Sequence, residues 1–282
     1  MNSNNYLELL RSGYKKKKGR PKASNISRKT EIYYTRALLD ISKQCKVEGE
    51  EILAVIKDSG RFIGDAYVGD APSFLNRIAG IVKNGIVGRI SSLADVLASK
   101  VAKDQKEAVD DRLAKQLKFM TGIDTREIIR YGNASKVLED AVAVNVTYIK
   151  SLPTEYHASL EKIIMTGLQQ GKGTVWLGEE IQKLGKKTDN RAKLIARDQI
   201  ISISQQFNKE SQRELGIGEY VWITKEDRRV RGNPNCIYPQ YRHVINSHYA
   251  RHDKVMSWDE RPDDGFPGEP IMCRCDAFPY LG

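Results

Sequence analysis

The chain has 282 residues, 40% apolar and 29% charged, which is enough for a sizeable core and about two domains. Its formal net charge is +10, but residues 11–30 hold nine basic side chains and no acidic one, so the remainder nets to +1. That distribution excludes a uniformly basic DNA-coating protein, and the lack of any apolar run near the ~18 residues of a membrane span excludes a helical membrane protein.

Residues 1–29 read as a flexible basic arm, because Lys, Gly, Pro, Ser and Asn dominate and the only apolar cluster is Tyr6, Leu7, Leu9 and Leu10. Arg11, Lys15, Lys16, Lys17, Lys18, Arg20, Lys22, Arg28 and Lys29 make it the candidate contact for double-stranded DNA. The slim stretch Tyr14 to Lys22, with its Gly-Arg-Pro, suits a minor groove or a phosphate backbone. A solubilising tail is the plain alternative. The first ten residues do not read as a secretory signal, and four cysteines do not make a disulfide scaffold. Reduced thiols in a cytosol are therefore expected.

Residues 30–152 read as a helical region. Leu38, Ile41, Cys45, Ile52 and Ile56 recur at helical spacing over 30–58, and Gly60, Gly64, Gly69 and Pro72 mark loops. Ile86, Ile90, Leu93, Leu97 and Val101 predict a second helix over 86–118, whose charged middle reads as a solvated face. Asp124 is placed to cap a helix over 125–150.

Residues 153–282 read as a separate domain. A helix is expected over 155–170. Gly167 to Thr174 fails as a phosphate loop, since Gly173 follows Lys172 and a helix precedes it, so it reads as a helix end and turn. A short helix from Thr174 to Leu184 and a long one over 190–215, capped by Thr188 or Asp189, come next. Tyr220, Val221, Trp222 and Ile223 predict a central, covered strand, and Ile271 to Phe278 a last one. The whole is α+β: a predominantly α-helical N-terminal region, then a small α+β C-terminal domain with a loop-rich, Cys- and His-containing end.

Asp198 sits at the edge of an apolar helix face, so it needs a partner. An ion pair to Arg229 or Arg231, clamping helix to strand, is expected. A phosphate or acidic partner for these arginines is the alternative, but residues 216–282 hold nine basic and ten acidic side chains, too balanced for a DNA-binding face. Three of the four cysteines and three of the four histidines lie in those last 67 residues. On an extended strand Cys273 and Cys275 would face one side about 6.6 Å apart at Cα, which suits two thiolates on one metal better than a disulfide. With Cys236 and His248 they form a candidate Cys3His zinc set. Buried thiols packing the strand, or a disulfide formed outside the cell, are the other two outcomes. His248 and His252 are four apart, but Tyr249 stands where a metalloprotease has Glu.

Three stretches carry a resemblance: Arg191 to Gln199 with Arg197-Asp198-Gln199; Tyr220 to Gly232 with Asp227, Arg229 and Arg231; and Ser247-His248 followed by Pro267 to Cys275, with Cys273 and Cys275. In order and content they resemble the phage Mu F-like head morphogenesis family over residues 155–280. Met272 departs from it, standing where the family usually has Asn. The resemblance implies a minor capsid protein, in the virion after assembly in the host cytoplasm; no nucleophile–base pair and no carboxylate cluster with a supporting His stands out, so no enzyme is expected. The portal protein, the major capsid protein or both would be its partners, and no membrane. A metal-dependent nuclease using Asp227, His248 and the cysteines, and an internal protein ejected with the genome, are the competing expectations.

Overall fold

The computed structural model describes residues 3–15, 27–58, 62–63, 66–67, 71–130 and 135–282. Helices dominate: α1 (Ser3–Gly13), α2 (Arg28–Asp58), α3 (Ala71–Asn84), α4 (Ile86–Thr121), α5 (Arg126–Arg130), α6 (Ser135–Gln169) and α7 (Thr174–Glu214). A two-residue pair, β1 (Phe62–Ile63) and β2 (Ala66–Tyr67), lies between α2 and α3. The C-terminal sheet has three antiparallel strands, β3 (Glu219–Ile223), β4 (Val255–Ser257) and β5 (Asp276–Pro279), in the order β4-β3-β5. The mostly helical chain with a small α+β end is as the sequence predicts. None of the described helices is long and apolar enough to cross a membrane.

Two compact units form, and they are not successive stretches. One holds residues 1–31, 101–141 and 197–282; the other holds 32–100 and 142–196. The expected boundaries after residues 29 and 152 fall inside α2 and α6. The physical reason is helix length: α4, α6 and α7 run 36, 35 and 41 residues, and each contributes to both units.

In the second unit Leu38, Ile41, Cys45, Ile52 and Ile56 are buried, as their spacing predicts, and so is Tyr34. Tyr34 donates its hydroxyl hydrogen to Asn145 Oδ1 at 3.0 Å. Glu48 is buried, accepting the Ile86 N–H at the start of α4 at 2.5 Å and facing His157 Nε2 at 2.8 Å. Thr188 and Asp189 cap nothing, because α7 runs through them. Thr188 donates back to the Leu184 carbonyl, and Asp189 is held by Ser42 at 2.7 Å and Lys46 at 2.9 Å. Polar residues in mid-helix thus found partners along or across the bundle, so no break was needed. Pro153 likewise lies inside α6.

In the first unit α1 is not part of a free arm. Leu10 is buried with Leu113, Leu117, Leu215 and Leu281, and Arg11 Nε donates to the Leu281 carbonyl at 3.0 Å. Apolar residues at Tyr6, Leu7 and Leu10 found that surface within the chain itself. Lys15 follows α1, and Arg28 and Lys29 open α2. Lys16, Lys17, Lys18, Arg20 and Lys22 lie outside the described residues, as do Gly60, Gly64 and Gly69; Pro72 is the second residue of α3 and does not mark a loop. Asp124 does cap α5, accepting the Arg126 N–H at 3.2 Å. The charged middle of α4 is only partly solvated: Asp110 is buried against Lys106 and Ser211.

The lower half of α7 positions the sheet. Its inward face carries Gln205, Asn208 and Gln212, all buried. Asn208 and Gln212 donate to the Ala277 carbonyl on β5 at 2.8 and 3.1 Å, and Gln212 accepts the Trp258 indole N–H. Gln205 and Arg112 reach the buried Asp276 carboxylate. β3 is the central strand, and its Tyr220 and Trp222 are fully buried among Trp258, Phe266, Cys273 and Cys275.

Candidate metal centre

β3 ends at Ile223, and the chain then makes irregular turns to Ser247-His248 and on to a tight turn before Cys273. Cys273 and Cys275 do not lie on a strand, since β5 begins at Asp276. They converge all the same: each Sγ lies 3.4 Å from His248 Nδ1. The three side chains are buried, with ligand atoms within 4.8 Å of one another, so they form a group that can hold a metal ion. Two soft thiolates and one imidazole are a transition-metal donor set. The four cysteines are free thiols.

Cys236 is not in this group. It is buried in its own loop, where its carbonyl accepts Arg242 Nε at 2.7 Å. The expected four-residue set is therefore corrected to three. A cysteine 12 residues before His248 needed the intervening loop to fold back to the centre, and that loop closes on itself through Arg242.

The other face of His248 is oriented by Asp264, which sequence reasoning missed. Asp264 Oδ2 lies 3.3 Å from His248 Nε2, in ion-pair range but outside hydrogen-bond alignment, and its Oδ1 accepts Arg251 Nη1 at 2.5 Å. The Arg251 guanidinium stacks 5.0 Å above Trp222, whose indole meets the His248 ring edge-on at 5.3 Å. A carboxylate at that distance favours the ring orientation that turns Nδ1 to the thiols. The Gly268 N–H donates to Cys273 Sγ at 3.3 Å. Only glycine fits there: φ is +83°, and a Cβ would lie 2.4 Å from Gln205 Cγ. The hydrogen bond from Cys275, helped by His248, lowers the Cys273 thiol well below its ordinary value; the same bond and burial raise Cys275.

Asp198 does not pair with Arg229 or Arg231. Its Oδ1 accepts the Met272 N–H at 2.7 Å and so holds the turn that delivers Cys273. Burial raises its carboxyl above the ordinary value, opposed by that bond and by Gln199. The arginine that clamps a carboxylate here is Arg274, which grips Asp227 at 2.5 and 2.7 Å. Arg231 instead lies over the Tyr241 ring at 4.9 Å, and Arg197, Arg229 and Arg231 line a cavity beside the thiols. His252 belongs elsewhere, accepting the Thr224 N–H.

No family model matches the chain, and no solved structure matches it. An uncharacterized protein of Haemophilus influenzae is similar, 25% identical over 266 residues, which is 92% of this chain and 55% of that protein. The chain thus spans about half the length of the curated relative it matches.

Proposed function

We propose that the chain is a structural minor head protein of a tailed phage, docking at the portal or the inner capsid and meeting packaged double-stranded DNA through the basic segment Lys15 to Lys29. The observation that carries this reading is the meeting of its three motif stretches. Asp198 holds Met272, Arg274 holds Asp227, and His248 meets Cys273 and Cys275. The residues behind the resemblance are thus one packed module, and their bonds are those of a clamp. Zinc is the ion we assign to the centre, since it favours thiolate and imidazole in tetrahedral sites and would staple the loops to the sheet. Mass spectrometry of purified particles, with co-purification on the portal protein, tests the reading. Low-copy presence in heads and retention by portal are expected; a chain missing from heads and indifferent to portal overturns it.

A metal-dependent nuclease is the second reading, favoured by one observation: the three ligands border a cationic cavity and leave a fourth metal position to come from there. His248 would be a ligand. Asp227 is engaged by Arg274. Cleavage of DNA with Zn2+ or Mg2+ that is lost in His248→Ala would replace the structural reading; intact DNA keeps it.

A further inference from the structure

The cavity beside the centre has a volume of ≈ 530 Å³ and a cationic wall. Arg197, Lys225, Arg229, Arg231 and Arg274 all line it, and no carboxylate does. Arg274 is neutralised by Asp227. Asp198, beside the same turn, accepts the Met272 N–H, and Asp276, whose charge acts on Lys225, is bonded by Arg112 and Gln205. Among the described residues Arg197, Lys225, Arg229 and Arg231 form no direct ion pair with a carboxylate; Asp276 and Asp227 act on Lys225 and Asp227 on Arg229 only through space. The Arg197 Nε is buried without a hydrogen-bond partner, and Arg231 is fixed in place by the Tyr241 ring and the Ile271 carbonyl. Like charges gathered in one concave site repel one another, so the arrangement asks for an anion. Burial lowers the Lys225 ammonium below its ordinary value, an effect that a bound anion would offset.

We infer that this cavity binds a phosphate group, carried by a nucleotide or free as inorganic phosphate. A carboxylate carries one charge and two acceptor oxygens, which a single arginine fork satisfies. A terminal phosphate carries up to two charges and three acceptor oxygens, matching several unpaired cations converging from different segments. The volume exceeds what a bare phosphate needs, and Tyr238 on the wall offers an aromatic ring for a base, the Tyr241 ring being covered by Arg231. The inference is independent of the proposed function and of the basic segment near the N-terminus.

Calorimetric titration of the full chain with inorganic phosphate, with thymidine 5′-monophosphate and with hexaglutamate tests it. One saturable phosphate site per chain is expected, weakened about tenfold or more in Lys225→Ala and in Arg229→Ala, since each removes a charge-assisted bond to the phosphate. Both side chains are exposed, so both variants should fold, which the near-ultraviolet signal of Trp222 and Trp258 reports. Replacing Lys16, Lys17 and Lys18 by alanine should leave this site unchanged. Tighter binding of the nucleotide than of free phosphate assigns the tyrosine wall to a base; equal binding assigns the site to the phosphate alone. The inference fails if no saturable phosphate site exists, if only the Lys16–Lys18 variant weakens it, or if hexaglutamate binds equally well.

Discussion

Asp198 accepts the backbone N–H of Met272 at 2.7 Å, and Met272 stands in the left-handed region with φ +59°. A helix carboxylate therefore holds the one turn that aims Cys273 at His248. Asp198→Ala should destabilise the protein by about 2 kcal/mol, as loss of a hydrogen bond to a charged group does, whereas Asp198→Asn keeps an acceptor and should recover most of it. Urea unfolding of both variants checks this. Equal loss in the two would assign the role to charge instead of the hydrogen bond.

Met272 is the position where the resembling family usually has Asn, and the backbone gives a reason. Left-handed φ penalises a β-carbon, and Asn tolerates it better than Met. Met272→Asn should raise stability by about 1 kcal/mol. An unchanged or lower melting temperature would mean that the Met272 side chain makes up for its backbone.

Metal analysis should find about one zinc per chain, lost in His248→Ala and Cys273→Ser and retained in Cys236→Ser. Retention in Cys236→Ser distinguishes the three-residue group from the four-residue set read from spacing. Chelation should lower the melting temperature, because binding energy is folding energy in such sites. A metal content near zero in the parent protein would leave buried thiols as the better description.

The hydrogen bonds from Arg274 hold the Asp227 carboxyl below the ordinary carboxylate range. The unfolded chain then binds this proton more readily than the folded one. The pair's stabilisation is present above the unfolded pKa of about 4 and is lost as pH falls through the depressed folded value. Melting temperature followed from pH 7 down to pH 2 should fall more steeply in the parent than in Asp227→Asn. Parallel curves would show that the pair adds nothing at acid pH.

Leu10 ties α1 into the first unit's core. Leu10→Ala should cost about 3 kcal/mol, as burial of a leucine elsewhere does. Neutralising Lys16, Lys17, Lys18, Arg20 and Lys22 should leave stability unchanged and abolish salt-sensitive binding to double-stranded DNA. A gel-shift titration with thermal melting separates the two effects. DNA affinity that survives neutralisation would move the contact away from this segment.

Much of the fold was legible because it is coded locally. The 3.6-residue spacing of Leu38, Ile41, Cys45, Ile52 and Ile56 needs only a surface to bury against, and Tyr220 to Ile223 reads as a covered strand for the same reason. The polar partners were not legible. Gln205, Asn208 and Gln212 interrupt the apolar pattern of α7, and only the carbonyl of Ala277 and the indole of Trp258 show why they are buried. Asp264 carries no motif at all, and its place behind His248 depends on a fold-back of the last loops.

The sequence by itself determined where charge and thiols are spent: nine basic residues in one short stretch, and a Cys-x-Cys with a histidine near the end. It also predicted that the body is near neutral, with nine bases and ten acids in residues 216–282. Only the tertiary structure decided that this balance is not uniform in space. Asp227 and Asp198 are engaged by Arg274 and a backbone N–H, so Arg197, Lys225, Arg229 and Arg231 are left to face one cavity. Net charge is additive along a chain, but the field at a site depends on which charges are paired across it, and pairing is a property of the fold.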